Sequence, residues 1–100
     1  GNVAMAGGGI GNDGGTLTLT NSTVSNNTAL FGGGILNINS PLAALYPQFT
    51  STITNSTISG NTAQSPVGGG GITSYGNGPK CPVSFFSANS VVAGNNADDP

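Results

Sequence analysis

The nine residues from Asn21 to Ala29 read Asn-Ser-Thr-Val-Ser-Asn-Asn-Thr-Ala, and they return from Asn55 to Ala63 as Asn-Ser-Thr-Ile-Ser-Gly-Asn-Thr-Ala. A degenerate third copy, Asn-Ser-Val-Val-Ala-Gly-Asn-Asn-Ala, runs from Asn89 to Ala97, so both steps are 34 residues. A second motif recurs alongside, as Gly7-Gly8-Gly9-Ile10, Gly32-Gly33-Gly34-Ile35 and Gly69-Gly70-Gly71-Ile72, at steps of 25 and 37 residues. Self-similarity at such periods marks a chain that stacks one supersecondary unit on the next, because a single unit cannot bury its own apolar face.

The unequal glycine steps locate insertions. Only Gly11 to Gly15 separate Ile10 from Thr16, whereas the matching stretches run from Leu36 to Phe49 and from Thr73 to Val83. Extra residues are therefore expected at one corner, just after each Gly-Gly-Gly-Ile, as inserted loops at 36–49 and 73–85. Stacked strands cannot absorb them elsewhere.

Local periodicity supplies the strands. Thr16-Leu17-Thr18-Leu19-Thr20 and Thr52-Ile53-Thr54 alternate polar with apolar, the period of a half-buried strand. Ile10, Leu17, Leu19 and Val24 are expected to point inward in the first coil, Ile35, Ile53 and Ile58 in the second, and Ile72 and Val92 in the third. Asn and Gly between the strands tolerate the left-handed backbone of sharp corners. No stretch carries a helical apolar stripe. The expected fold is all-β: a right-handed parallel β-helix, or β-solenoid, of about three coils (1–26, 27–60 and 61–95) in one domain. Asn21, Asn55 and Asn89 are expected to form one ladder at a turn, their amides bonding from coil to coil, and Asn27, Asn61 and Asn95 a second. Such a bond is worth about 1 kcal/mol net. Against an ordering cost on the order of 100 kcal/mol, the ladders set register while the apolar columns carry stability.

Composition narrows the partners. Gly and Pro take 18 and 6 of the 100 positions, but a net charge of −2 and 35% hydrophobic residues argue against disorder. One Lys and no Arg leave no electrostatic basis for nucleic acid or an anionic membrane. No apolar run is long enough to span a bilayer, and no leader pattern is visible. Cys81 has no internal partner; it is either a buried thiol or pairs outside this segment.

Gly-Gly-Gly-Ile, Thr16 to Thr23 and Ser59-Gly60-Asn61-Thr62-Ala63 together resemble the repeats of bacterial right-handed parallel β-helix proteins, the large secreted or surface proteins of pectate-lyase-like topology. Ser25 to Ile35 is also similar to repeats of polymorphic outer-membrane and autotransporter adhesins, and Val91 to Asn95 resembles a closing coil of such chains. The likeness spans essentially the whole chain. It is specific for fold and says little about activity, since this scaffold hosts many functions.

Three other functions compete with a structural or adhesive module. Lyases of this topology resemble one another in using clustered acids for calcium with a basic residue as proton acceptor, and glycoside hydrolysis needs two carboxylates across the bond. Asp13, Asp98, Asp99 and Lys80 read instead as solvated loop residues, so no catalytic residue, metal or cofactor is expected. Ice binding would use stacked Thr-x-Thr, with Thr16, Thr18 and Thr20 over Thr50, Thr52 and Thr54, but Ser84, Phe86 and Ala88 break the third row. Carbohydrate or protein binding would use the inserted loops, which gather Tyr46, Phe49, Tyr75 and Lys80; the competing reading has these rings cover the core beneath them. Asn21, Asn26 and Asn55 head formal glycosylation sequons. A ladder at Asn21 and Asn55 would withdraw them, and a bacterial source argues against their use.

Gly1-Asn2-Val3-Ala4 matches Gly60-Asn61-Thr62-Ala63, and the chain closes at Gly94-Asn95-Asn96-Ala97. The expected partners are therefore flanking coils of a longer chain, or copies of itself stacked head to tail as a filament, with glycans or a neighbouring cell surface as further candidates. The expected location is extracellular or at the cell surface.

Overall fold

The computed structural model describes residues 1–13, 15–39, 49–64, 69–76, 83–88 and 90–97. These form thirteen strands and, among the described residues, no helix. In chain order they are β1 (Val3–Ala6), β2 (Ile10–Asp13), β3 (Leu17–Thr20), β4 (Thr23–Ser25), β5 (Thr28–Phe31), β6 (Ile35–Asn39), β7 (Phe49–Thr54), β8 (Thr57–Ser59), β9 (Thr62–Ala63), β10 (Ile72–Gly76), β11 (Val83–Ala88), β12 (Val91–Ala93) and β13 (Asn96–Ala97). They are short because Asn and Gly interrupt the Thr-, Val- and Ile-rich runs that suit a pleated surface.

Four sheets take these strands in strict rotation: β1-β5-β9-β13, β2-β6-β10, β3-β7-β11 and β4-β8-β12. Every pairing is parallel, and among the described residues no barrel closes. Each pass of the chain contributes one strand to each sheet, so backbone groups left open within a pass are met by the next.

Register stacks like on like. Ile10, Ile35 and Ile72 align, as do Val24, Ile58 and Val92, Leu19 and Ile53, and Ala29 and Ala63. Ile35, Ile53, Ile58, Ala29, Ala63 and Val24 are buried, with Ile10, Leu17, Leu19 and Ile72 packed partly buried against the four branched residues among them. The fully buried members concentrate in the middle pass, which has neighbours on both sides. Val92, expected to point inward, is 49% exposed; among the described residues no strand lies beyond it in its sheet.

Two expectations about the insertions are corrected. The loops at 36–49 and 73–85 overlap strands at both ends, because pairing continues from Ile72↔Ile35 out to Gly76↔Asn39 and begins again at Val83↔Phe49. Insertion is also not confined to one corner. Asn27 and Asn61 bond across a step of 34 residues, but Asn37 and Ser74 across 37. Three residues therefore enter between β9 and β10, ahead of the third glycine run.

Candidate functional site

Two rows of polar side chains sit at the corners, where a backbone N–H turns away from the strand ladder and needs another acceptor. At the corner before β5, β9 and β13, that acceptor is an asparagine oxygen of the next pass. Asn2 N–H donates to Asn27 Oδ1 at 2.9 Å, Asn27 N–H to Asn61 Oδ1 at 3.0 Å, and Asn61 N–H to Asn95 Oδ1 at 2.9 Å. The side-chain amides run the same way, Asn27 Nδ2 to Asn61 Oδ1 at 3.0 Å and Asn61 Nδ2 to Asn95 Oδ1 at 2.9 Å. Asn61 Nδ2 also donates to Val24 O and Asn95 Nδ2 to Ile58 O. Asn27, Asn61 and Asn95 are thus brought into one row, with Asn2 as an additional first member.

The glycine runs leave room for this row. A Cβ on Gly9, Gly34 or Gly71 would fall 2.8, 2.9 or 2.7 Å from Nδ2 of Asn27, Asn61 or Asn95 respectively. Each amide lies against the third glycine of a run, so the two repeated motifs are halves of one packing unit. The first glycine serves a different need: Gly7 and Gly32 adopt φ of 61°, which strains any residue with a Cβ.

The expected ladder of Asn21, Asn55 and Asn89 is not what the structure forms. Asn21 and Asn55 adopt left-handed φ of 51° and 50°, which turns both side chains outward into exposed positions. Asn21 meets the next pass through its backbone N–H, 3.0 Å from Thr54 O, and no hydrogen bond joins the Asn21 and Asn55 side chains. Asn89 lies outside the described residues. The row at this corner belongs instead to the following serines: Ser22 N–H donates to Ser56 Oγ at 3.1 Å and Ser56 N–H to Ser90 Oγ at 3.2 Å. Ser22 and Ser56 hydroxyls donate to Thr20 O and Thr54 O, both at 2.8 Å.

A third polar group, missed in the sequence, lies inside the stack. Asn12 Nδ2 and Ser51 Oγ both donate to Asn37 Oδ1, and Asn37 Nδ2 donates to Ser74 Oγ at 3.3 Å. Asn37 and Ser51 are each 1% exposed. Its signal was present two residues after each motif isoleucine, as Asn12, Asn37 and Ser74.

The outer surface is lined by hydroxyls over two passes. Thr18 pairs with Thr52, Thr20 with Thr54, Thr23 with Thr57 and Ser25 with Ser59, before Val91 and Ala93 follow the last two in the third pass. Of the expected loop contacts, Phe49 and Tyr75 occupy strand positions beside Val83 and Ile38, while Tyr46 and Lys80 lie outside the described residues, as do Cys81, Asp98 and Asp99. Asp13 ends β2, beside Ile38. The described residues contain no cluster of three His, Cys, Asp or Glu. An open depression of about 420 Å³ exposes the first pass of the core, between Ile10, Leu19 and Val24 on its apolar side and Asn2, Thr23 and Asn27 at its rim.

No protein-family model, curated protein or solved structure matches the chain.

Proposed function

We propose that the chain is a stretch of right-handed parallel β-solenoid serving as a non-catalytic structural or adhesive module of an extracellular or cell-surface protein. The observation that carries the reading is the Asn2-Asn27-Asn61-Asn95 row. From Asn27 onward one side-chain type repeats the same two bonds at each step, and Asn27, Asn61 and Asn95 each lie against a glycine kept small for them. Side chains invested this way hold layers at fixed height and rotation, which is the duty of a scaffold. The rotation of the chain through four sheets supports the same reading, since solenoids add rigid length layer by layer.

The function is tested with the purified chain on an immobilised glycan array and in a reducing-end assay on polysaccharides. A scaffold retains no particular glycan and releases no reducing ends. Retention of one glycan class would replace the scaffold by a carbohydrate-binding module, and release of reducing ends would make the chain an enzyme. A circular dichroism spectrum dominated by helix would remove the solenoid itself.

A further inference from the structure

We propose that Asn21, Asn26 and Asn55 are acceptor sites for asparagine-linked sugar on the outer corners that flank the sheet of β4, β8 and β12. The inference rests on the extracellular reading above, because it requires the chain to meet a transferase.

The structure divides the asparagines into two classes. Asn27, Asn37 and Asn61 are 4%, 1% and 0% exposed, and their amides are hydrogen bonded. None begins an acceptor sequence, since the residue two positions on is Ala29, Asn39 or Ala63. Asn21, Asn26 and Asn55 are the opposite. Each is exposed, each holds a left-handed φ, of 51°, 58° and 50°, and among the described residues none uses its side-chain amide in a hydrogen bond. Each is followed two positions on by a threonine: Thr23, Thr28 and Thr57.

The hydroxyls are divided in the same way. Ser22 and Ser56, the middle residues of two of these sequences, carry the bonds between passes. Thr23 and Thr57 precede the inward-facing Val24 and Ile58, so strand alternation turns them outward. Structural duty and acceptor chemistry therefore fall on different atoms. A sugar on Asn21 or Asn55 displaces no bond that holds the passes together. One on Asn61 would have to break the row.

The transfer is a substitution at the sugar. Nδ2 of the asparagine forms a bond to C1 of a sugar carried as a lipid- or nucleotide-linked diphosphate. The C1–oxygen bond to the phosphate breaks, the diphosphate leaves with the electron pair, and the amide proton passes to a base of the transferase.

The test directs the whole chain, behind a cleavable leader, through the secretory pathway of a eukaryotic cell. Intact mass is measured before and after peptide N-glycosidase, with peptide mapping. The expected result is a glycan mass confined to Asn21, Asn26 and Asn55. It is lost in the triple variant Thr23→Val, Thr28→Val, Thr57→Val, which keeps the strand spectrum of the parent because Val91 already occupies the Thr23–Thr57 row. Should that variant misfold, Asn21→Gly, Asn26→Gly, Asn55→Gly removes the acceptors with a residue that Gly60 and Gly94 show at φ of 64°. An exported chain of unmodified mass overturns the acceptor proposal, and so does sugar mapped only to other residues. Either result with a strand spectrum intact leaves the scaffold reading standing, which falls separately by the glycan-array, reducing-end or helix outcomes above.

Discussion

Asn55 and Asn61 are six positions apart in a repeated segment, yet substitution should affect them in opposite directions. Asn61 is 0% exposed, accepts from Asn27 and donates to Asn95 and Val24. Asn61→Ala takes the acceptor from both the N–H and the Nδ2 of Asn27 and a donor from the buried Val24 O, and about 3 kcal/mol should be lost in urea unfolding. Asn55→Gly, which relieves a left-handed backbone and removes no bond between passes, should leave the midpoint unchanged or raise it. Gly34→Ala would set a Cβ 2.5 Å from Gly71 O; displaced backbone should cost about 3 kcal/mol in the same titration. These contrasts also show what a repeat can and cannot disclose. Spacing of 34 residues made it legible that Asn21 and Asn55 align, as do Asn27 and Asn61, because parallel stacking puts equal positions side by side. Which way each side chain points was not legible. That depends on the sign of φ at one corner residue, and identical letters at identical spacing carry no mark of it.

At the scale of the strand, alternation was readable and depth was not. Leu19 and Ile53 face inward as their period-two patterns require. Leu17 does too, but its counterpart in the next pass is Ser51, which is buried and donates to Asn37. A column that begins apolar turns polar one pass later because a neighbouring asparagine needs a donor, and no local pattern announces that. Depth follows position in the stack. Ile58→Ala, in the covered pass, should cost about 4 kcal/mol, while Val92→Ala, at a half-exposed site of the same column, should cost less than half as much. Amide exchange should follow the same gradient. Protection is expected to be highest in β5 to β8 and lowest in β1 and β13, measurable peptide by peptide by mass spectrometry.

For the molecule as a whole, cohesion comes from packing and from uncharged hydrogen bonds. Charged residues make up 4% of the chain. Screening therefore has little to act on, and the melting temperature should change by no more than a few degrees between low salt and ~1 M sodium chloride, where the screening length is only about 3 Å. A shift much larger than that would place a missing charge interaction at the centre of stability. Contacts between passes join residues 25, 34 or 37 apart, so loops of that size must close before any strand is paired. Refolding by stopped flow should accordingly take milliseconds to seconds rather than microseconds.

The asparagine row also has an arrow. At every step the nitrogen belongs to the earlier pass and the oxygen to the later one, so the amide dipoles share one sense along the axis. A layer turned upside down would face nitrogen with nitrogen and oxygen with oxygen. The row is therefore a directional lock as well as a spacer: each pass of this chain meets the next in one orientation only.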